Sequence, residues 1–319
     1  MSRTLYKIAS IPGDGIGVDI TDAAEQVLHK LAELDGGFRF EFTTFDWSSK
    51  AYNERGWYMP PDWADQLRKH DAIYFGAVGW PDVPDHISLW NMILPIRNAL
   101  SQYVNVRPTR ILPGVQSPLA QCQKSSKDLD WVIVRENSEG EYAGQEQCST
   151  PWHGAVGQGL YEVAKEYDGV VEYDKMLVDA MTVRMVNRPE SLDTIVATNL
   201  HADILTDLAA ALAGSIGIAP SSNLDPTREN PSMFEPIHGS APDIAGKGIA
   251  NPVGAFWSAA EMVKWIGDGK LDHAAAALMS AIEKTTGDGL TTRDLGGSKG
   301  TKEVTDAVCK ELETALKKT

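Results

Sequence analysis

The chain has 319 residues, 43% of them hydrophobic and 23% charged, so it is neither a disordered polymer nor a small disulfide-stabilised scaffold. Its 29 basic and 44 acidic residues leave a formal net charge of −15, which disfavours binding to nucleic-acid phosphates or to anionic membrane surfaces. Because single hydrophobic cores stop growing at roughly 250 to 300 residues, we expect two domains.

Cysteine content and hydropathy indicate in which cellular compartment the protein is expected. Cys122, Cys148 and Cys309 lie far apart and form no CxxC pair, which argues against a disulfide framework or a zinc site and is typical of a reducing compartment. The first ten residues lack the apolar core of a secretory signal, and no apolar run approaches the roughly 20 residues of a membrane span. We therefore expect a cytoplasmic protein that binds no membrane.

Short strand-like runs alternate with helical patterns along the chain. In the first part, the patterns predict a strand at 5–11, a glycine loop at 12–17, a helix at 18–34, a strand at 38–45, a helix at 63–70 and a strand at 72–78. They then predict a helix at 89–100, an extended run at 103–110 and a strand at 130–135, followed by an irregular glycine-rich stretch at 140–159. The last predicted elements are a helix at 175–187, a strand at 194–197 and helices at 201–213, 252–265 and 301–316. This alternation predicts an α/β fold with a mainly parallel sheet flanked by helices.

Asp203 and Asp207 lie four residues apart on one face of a predicted helix, next to apolar neighbours. Two like charges at this spacing repel each other, and a hard divalent cation is one way to offset the repulsion. The alternative is a helix start whose acidic groups face the positive end of the helix dipole.

Three arginines, Arg97, Arg107 and Arg110, lie within fourteen residues, and Arg135 follows. Guanidinium groups bind carboxylates bidentately, which would suit a di-acid ligand in an acidic protein, although solvated surface arginines are the more common case.

Residues 238–244, His-Gly-Ser-Ala-Pro-Asp-Ile, combine small residues that permit close backbone approach with a carboxylate able to bind a ribose diol. The loop at 13–17 lacks the GxGxxG spacing, and the chain contains no P-loop.

Four long motifs, taken together, resemble the β-decarboxylating dehydrogenases of 2-hydroxy acids. They are IPGDGIG at 11–17, VRENSEGEY at 134–142, ATNLHADILTDL at 197–208 and FEPIHGSAPDIAGKGIANP at 234–252. The similarity covers almost the whole chain in the right order. The stretch PDHISLW at 84–90 is similar to the substrate loop of the tartrate and D-malate dehydrogenase branch, so the resemblance implies an isopropylmalate dehydrogenase-like two-domain fold and oxidation with decarboxylation of a small 2-hydroxy di-acid.

The resemblance also implies roles for individual residues. Substrate binding would fall to Ser88, Arg97, Arg107 and Arg135, catalysis to Tyr142 and Asp203, and Mg²⁺ or Mn²⁺ binding to Asp179, Asp203 and Asp207. Asp179 would serve the site of the other subunit in a homodimer. The dinucleotide would contact Ile11, Glu235, His238, Gly239, Ser240, Ala241, Asp243, Ile244 and Asn251. Asp243 followed by Ile244 resembles the NAD-preferring form, since NADP-dependent relatives carry Lys-Tyr there.

One departure from the family pattern lies between Tyr142 and Asp179. These positions are several tens of residues too close, and the family's segment with a Thr/Asp-Lys-x-Asn motif is missing. The catalytic lysine of that motif is therefore absent, and Lys165 and Lys175 are the nearest candidates to replace it. Two alternatives follow: a metal-dependent non-redox decarboxylase or lyase on the same scaffold, or a catalytically dead dimeric relative.

The expected domain organisation combines the resemblance with the glycine break at Gly214. We predict that residues 1–103 and 214–319 form the cofactor-binding domain and that residues 104–213 form a smaller dimerisation, metal and substrate domain.

Overall fold

A computed structural model describes residues 3–119, 129–138 and 152–316, with the side chains of 152–158 excepted. Its strands are β1 (Thr4–Gly13), β2 (Phe38–Thr44), β3 (Ala72–Ala77), β4 (Val104–Arg110), β5 (Asp130–Glu136), β6 (Thr194–Ala197), β7 (Pro220–Leu224) and β8 (Ser232–Pro236). The helices are α1 (Ile16–Asp35), α2 (Ser49–Arg55), α3 (Trp63–Leu67), α4 (Asp85–Ser88), α5 (Leu94–Ala99), α6 (Trp152–Glu166), α7 (Val178–Asn187), α8 (Asn199–Ala213), α9 (Val253–Gly267), α10 (Asp272–Gly287) and α11 (Thr301–Ala315).

The described strands form one sheet in the order β2-β1-β3-β8-β7-β4-β5-β6. β1 pairs in parallel with β2 and β3, β3 with β8, and β5 with β6. The remaining pairs, β8 with β7, β7 with β4 and β4 with β5, are antiparallel. The sheet is therefore mixed, and the predicted α/β architecture is confirmed.

Both faces of the central strands are covered, which explains the continuous apolar run of β3. All six residues of β3 are buried. Tyr74 packs into a large cluster with helices α1, α9, α10 and α11, whereas Phe75 packs into a second cluster on the opposite face. Strands covered on both faces are typical of doubly wound sheets.

The C-terminal helices return to the core built by the N-terminal part of the chain. Leu278 of α10 and Val308 of α11 are fully buried in the same cluster as Leu28 of α1. The sheet also continues without interruption from β7 into β4. The boundaries of the two domains stay a prediction.

Most predicted elements are present, and the exceptions have local causes. The predicted helix at 89–100 consists of a π-helical turn, Leu89–Ile93, followed by α5, and the short helix α4, which the patterns missed, precedes it. Pro95 has no N–H to donate to the preceding turn, which favours such a widened turn. The glycine-rich stretch is helical from Trp152, and α7 starts at Val178, three residues later than predicted. The patterns missed α2, α10, β7 and β8.

Among the described residues, no helix is both long enough and apolar enough to span a bilayer. Of the cysteines, Cys309 is described and is a free thiol on α11, whereas Cys122 and Cys148 lie outside the described residues.

Candidate active site

Three loops meet at one edge of the sheet because β1, β3 and β8 run parallel and end there. The loop after β1 carries the glycine motif, Gly79 follows β3, and His238 follows β8. Ser240 Oγ donates to the carbonyl of Gly79 at 2.5 Å, and the N–H of Ile16 donates to the carbonyl of Ser240 at 2.8 Å. A Cβ on Gly15 would lie 2.0 Å from the Ser240 carbonyl, so this contact requires glycine.

Asp14 ties these loops together, and sequence reasoning did not single it out. Its buried carboxylate accepts hydrogen bonds from the N–H and Oγ of Ser49 at 2.7 and 2.5 Å and from the N–H of Gly79 at 2.9 Å. Ile11, the first residue of the motif, is fully buried on the face of β1 that packs with Phe75. The backbone of the loop after β1 is therefore held in a fixed position by Asp14 and by the buried Ile11.

The segment after β8 carries most of the predicted dinucleotide contacts. His238 Nδ1 lies 3.0 Å from the Gly239 carbonyl, while its Nε2 is buried without a hydrogen-bond partner among the described residues. Burial lowers the pKa of His238, which favours the neutral imidazole. A buried nitrogen left unpaired is a position where a ligand's polar group fits.

The other members of this segment differ in accessibility. Gly239 and Asp243 are exposed, whereas Ala241 and Ile244 pack partly against the core. The amide of Asn251 is already engaged: its Nδ2 donates to Asp294 at 2.8 Å, and its Oδ1 accepts from the N–H of Val253 at 3.0 Å. Asn251 can therefore offer a ligand the second N–H of its amide and the second lone pair of Oδ1. These residues suit a dinucleotide, and their individual roles stay predictions.

Two of the predicted substrate arginines converge on Asp203. Arg135 of β5 bonds Asp203 Oδ1 and donates from Nε to Asn199 Oδ1 at 2.9 Å. Arg107 of β4 donates to Thr206 Oγ1 at 2.6 Å and lies 3.5 Å from the same Asp203 oxygen. Both arginines are buried, with 6% and 4% exposure for Arg107 and Arg135.

Charges influence one another strongly in this region. Burial lowers the pKa of Arg107, the Asp203 carboxylate opposes that effect, and nearby Arg97 adds to it. Burial and the neighbouring Asp203 raise the pKa of Asp207, which Arg107 and Arg135 oppose. Arginines and carboxylates therefore form one electrostatic unit.

Arg97 and Ser88 lie at the neighbouring elements α5 and α4. Arg97 Nη2 donates to Glu235 Oε1 at 2.8 Å, and both side chains are 9% exposed. The Nε of Arg97 is buried without a partner among the described residues. Ser88 is buried and donates to the Asp85 carbonyl at 3.0 Å. Glu235, predicted to contact the dinucleotide, thus also holds one of the predicted substrate-binding arginines, Arg97.

The residues for a divalent cation are only partly assembled. Asp203 and Asp207 lie one turn apart on α8 and offer the carboxylate oxygens that Mg²⁺ and Mn²⁺ prefer. Asp179 is exposed in the first turn of α7, and the described residues contain no group of three His, Cys, Asp or Glu side chains placed to hold a metal. One chain therefore does not bring Asp179 to the pair.

The predicted catalytic tyrosine, Tyr142, lies outside the described residues. Of the two lysines near the missing motif, Lys165 is exposed with its Nζ 4.2 Å from the ring centre of Tyr161. Lys175 is exposed in the segment before α7.

Sequence reasoning missed the amides that surround the arginines. Asn105 and Asn223 are fully buried and face each other across β4 and β7. The alternation of β4 contains a signal, because Asn105 and Arg107 lie two residues apart and so share a face. No local pattern marks Asn223, since its neighbour is set by strand pairing.

Comparison with known proteins gives one consistent result. The model of the isocitrate/isopropylmalate dehydrogenase family matches residues 7–162 and 155–308. A probable tartrate dehydrogenase/decarboxylase of Agrobacterium vitis is 50% identical, covering 96% of this chain and 98% of that protein. The decarboxylating D-malate dehydrogenase of Escherichia coli K12 is 40% identical, with 97% and 99% covered.

Solved structures agree with the sequence comparison. An isocitrate dehydrogenase from Methylococcus capsulatus superposes with a TM-score of 0.79 at 30% identity, covering 97% of this chain and 99% of the other. A β-decarboxylating dehydrogenase from Thermococcus kodakarensis gives 0.73 at 30% identity, covering 97% and 96%.

The alignments are consistent with a missing segment between Tyr142 and Asp179. The alignment to the Agrobacterium vitis protein spans 355 positions, more than the 319 residues of this chain, so the relative carries several tens of residues that are missing here. The two family matches meet at 155–162, between Tyr142 and Asp179. The resemblance inferred from the motifs is confirmed, and the chain belongs to the isocitrate/isopropylmalate dehydrogenase family.

Proposed function

We propose that this protein oxidises and decarboxylates a small 2-hydroxy di-acid of the tartrate or D-malate type, with NAD as hydride acceptor and Mg²⁺ or Mn²⁺ as the divalent cation. The observation that carries the proposal is the convergence of Arg107 and Arg135 on Asp203, with Asp207 one turn away. Anion-binding and cation-binding side chains share one place there. Relatives named for tartrate and D-malate support the substrate class.

The charge balance of this place favours a cation and a di-acid together. The guanidinium groups of Arg97, Arg107 and Arg135 face the carboxylates of Asp203, Asp207 and Glu235, so three charges of each sign balance. A divalent cation alone would add two positive charges, and a di-acid alone two negative ones. Because the three arginines are buried, where charges interact strongly, binding of either ligand should favour binding of the other.

The chain's own residues bind and orient the substrate in this scheme. The arginines hold its two carboxylates, and they are positioned in advance by the oxygens of Asn105, Asn199 and Glu235. Asp203 and Asp207 would hold the cation, which when bound supplies an electrophile for the C2 oxygen and the enolate. The segment from His238 to Asn251 would hold the dinucleotide, which supplies the hydride acceptor. By the resemblance, Tyr142 returns a proton after CO₂ leaves.

We further propose that the protein acts as a homodimer. Large apolar side chains are exposed on α7, α8 and β6, among them Val183 at 57%, Ile204 at 52% and Val196 at 39%. Helix α8 packs against both α7 and β6, and exposed apolar surface is typical of protein interfaces. Asp179 lies on the same helix as Val183, so a partner chain docked there would bring its Asp179 to this site.

A cofactor-reduction assay tests the function. Purified protein with Mn²⁺ and NAD is given tartrate, D-malate or isopropylmalate, and NADH is followed by absorbance. NADH that forms with tartrate or D-malate and disappears with a chelator or in Arg135→Gln supports the proposal. Conversion of no 2-hydroxy di-acid by a cooperatively folded protein contradicts it.

The missing segment favours a second candidate, a non-redox decarboxylase or lyase. Stabilisation of an enolate needs the cation, the arginines and a proton donor, whereas hydride transfer also needs the base that the family's lysine provides. CO₂ release from supplied oxaloacetate with Mn²⁺, with no NADH formed from any of the 2-hydroxy di-acids, supports this candidate. Binding of Mn²⁺ and NAD with neither product supports a catalytically dead relative.

A further inference from the structure

A continuous chain of buried hydrogen bonds joins Arg107 to Arg97. Arg107 Nε donates to Asn105 Oδ1 at 2.8 Å, and Asn105 Nδ2 donates to Asn223 Oδ1 at 3.0 Å. Asn223 Nδ2 then donates to Glu235 Oε1 at 2.8 Å, the oxygen that also accepts from Arg97 at 2.8 Å. This chain of hydrogen bonds crosses β4, β7 and β8 and ends on two of the proposed substrate-binding arginines.

The orientation of each amide in this chain is fixed by its neighbours. Asn105 must turn its oxygen toward the guanidinium of Arg107, so its NH₂ group points at Asn223. Asn223 must turn its NH₂ group toward the Glu235 carboxylate, so its oxygen points back at Asn105. Asn105 and Asn223 are both fully buried, and water cannot substitute for a lost partner without rearrangement.

We propose that Asn223 is a positioning residue that sets the spacing of the two guanidinium groups for the length of the di-acid. It touches neither arginine, yet it holds the side chain that orients each of them. This inference rests on the proposed function, because it takes the carboxylates of a small di-acid as the ligands of Arg97 and Arg107. Asn223 lies outside the predicted site, and its proposed effect is specificity for the chain length of the acid.

The chemistry of the position explains why aspartate would not serve. In Asn223→Asp an oxygen replaces the Nδ2 donor and faces the Glu235 carboxylate, so Glu235 turns away and Arg97 loses its anchor. Asn105 keeps its acceptor in this variant, which leaves Arg107 in place. The two guanidinium groups then lose their fixed separation, although each arginine remains.

The test compares Asn223→Asp with a control that removes an equally buried amide. Gln102 is also fully buried, donates to the Pro231 carbonyl at 2.8 Å, and its side chain bonds no residue of this chain of contacts. Wild type, Asn223→Asp and Gln102→Leu are measured for D-malate affinity by calorimetry with Mn²⁺, for NAD affinity and for thermal unfolding. The ratio of kcat/KM for D-malate to that for 2-hydroxyglutarate, one carbon longer, is also measured.

We expect D-malate to bind Asn223→Asp about tenfold or more weakly, since a fixed charged contact is lost. NAD affinity should be unchanged, and the preference for the shorter acid should shrink. Gln102→Leu should lose stability but keep both the affinity and the preference.

If Asn223→Asp does not fold, Asn223→Ser takes its place, because a smaller hydroxyl leaves room for water. A folded Asn223 variant with wild-type affinity and preference overturns the inference while the proposed function stands. A wild type that binds no di-acid overturns the proposed function and this inference together.

Discussion

The Asp203 carboxylate is paired with the Arg135 guanidinium. The same oxygen also lies near Arg107, so a proposed metal ligand and two proposed substrate ligands hold one another. A cation held by the Asp203 carboxylate would weaken its attraction for these arginines, and a di-acid would then supply the anionic partner that they lose. We therefore expect Asp203 to couple the two binding events.

Asp203→Asn should weaken Mn²⁺ binding well over tenfold, because a hard cation loses a charged oxygen ligand. Calorimetric titration of Mn²⁺ without di-acid measures this directly. Asp193→Asn, a change at an exposed carboxylate just before β6, is the matched control and should leave the affinity unchanged. Equal Mn²⁺ affinity in wild type and Asp203→Asn would show that the cation lies elsewhere.

Dinucleotide preference should follow Asp243 and Ile244. An exposed carboxylate repels a 2′-phosphate and accepts hydrogen bonds from a 2′-hydroxyl, so wild type should prefer NAD. Asp243→Lys combined with Ile244→Tyr should move the ratio of NAD to NADP affinity by about tenfold or more toward NADP, since repulsion becomes attraction.

The control for this change is Asp272→Lys, which makes the same charge reversal at the start of α10. Fluorescence titration of both dinucleotides gives the two affinities for each variant. Wild-type protein that binds NAD and NADP equally well is incompatible with the role assigned to Asp243.

Much of this site was predictable from sequence because its side chains come from contiguous motifs. The Asp203–Asp207 pair and the segment after β8 are local patterns with a known chemistry. Asn223 is different: the pairing of β4 with β7 places it beside Asn105, and the two are 118 residues apart. Asp14 likewise contacts Ser49 and Gly79 only after the strands align. Long-range register, which local propensity does not encode, decides these contacts.

The misplaced elements have a related cause. The glycines within α6 weaken helix propensity, yet helix formation propagates once a turn exists. The alanine-rich α10 has high helix propensity, but its small side chains blur the contrast between apolar and polar faces on which the prediction relied. Periodicity of large apolar residues alone therefore missed both helices.

Stability should fall with rising pH through Glu261 on α9. Burial raises the pKa of Glu261, while Lys264 and the indole N–H of Trp257 oppose the shift. A carboxyl group with a raised folded pKa contributes most to stability below its unfolded pKa, and that contribution is lost as pH rises through the folded pKa. Glu261→Gln keeps an acceptor for Trp257 and removes the ionisation.

We therefore expect Glu261→Gln to melt at a higher temperature than wild type at about pH 7 and to lose that advantage near about pH 4. Thermal unfolding across this range gives the comparison, with the exposed Glu54→Gln as control. Parallel pH profiles for wild type and Glu261→Gln would mean that ionisation of the half-buried Glu261 carboxyl does not destabilise the fold.

Dimer formation should depend on the exposed apolar side chains of α7 and α8. Val183→Asp combined with Ile204→Lys places charges where a partner would bury apolar surface, so we expect a shift from dimer to monomer in sedimentation equilibrium. Mn²⁺ affinity should fall in the same variant, since the partner's Asp179 is lost. Trp57→Lys, 41% exposed after α2, should change neither quantity. A wild type that sediments as a monomer would contradict the shared site.

The missing segment should separate the two halves of the reaction. General-base catalysis contributes about 10² to 10⁴-fold, so hydride transfer from tartrate or D-malate should be slower than in full-length relatives by that order. Decarboxylation of supplied oxaloacetate with Mn²⁺ needs an electrophile and a proton donor but no such base, and it should be far less impaired. Both reactions are measured on one preparation, with Tyr142→Phe expected to reduce the second.

Oxidation at the rate of full-length relatives would mean that another base reaches the substrate. Lys165→Met and Lys175→Met would then identify that base, because both lysines lie between Tyr142 and Asp179, where the family segment is missing, and both side chains are exposed.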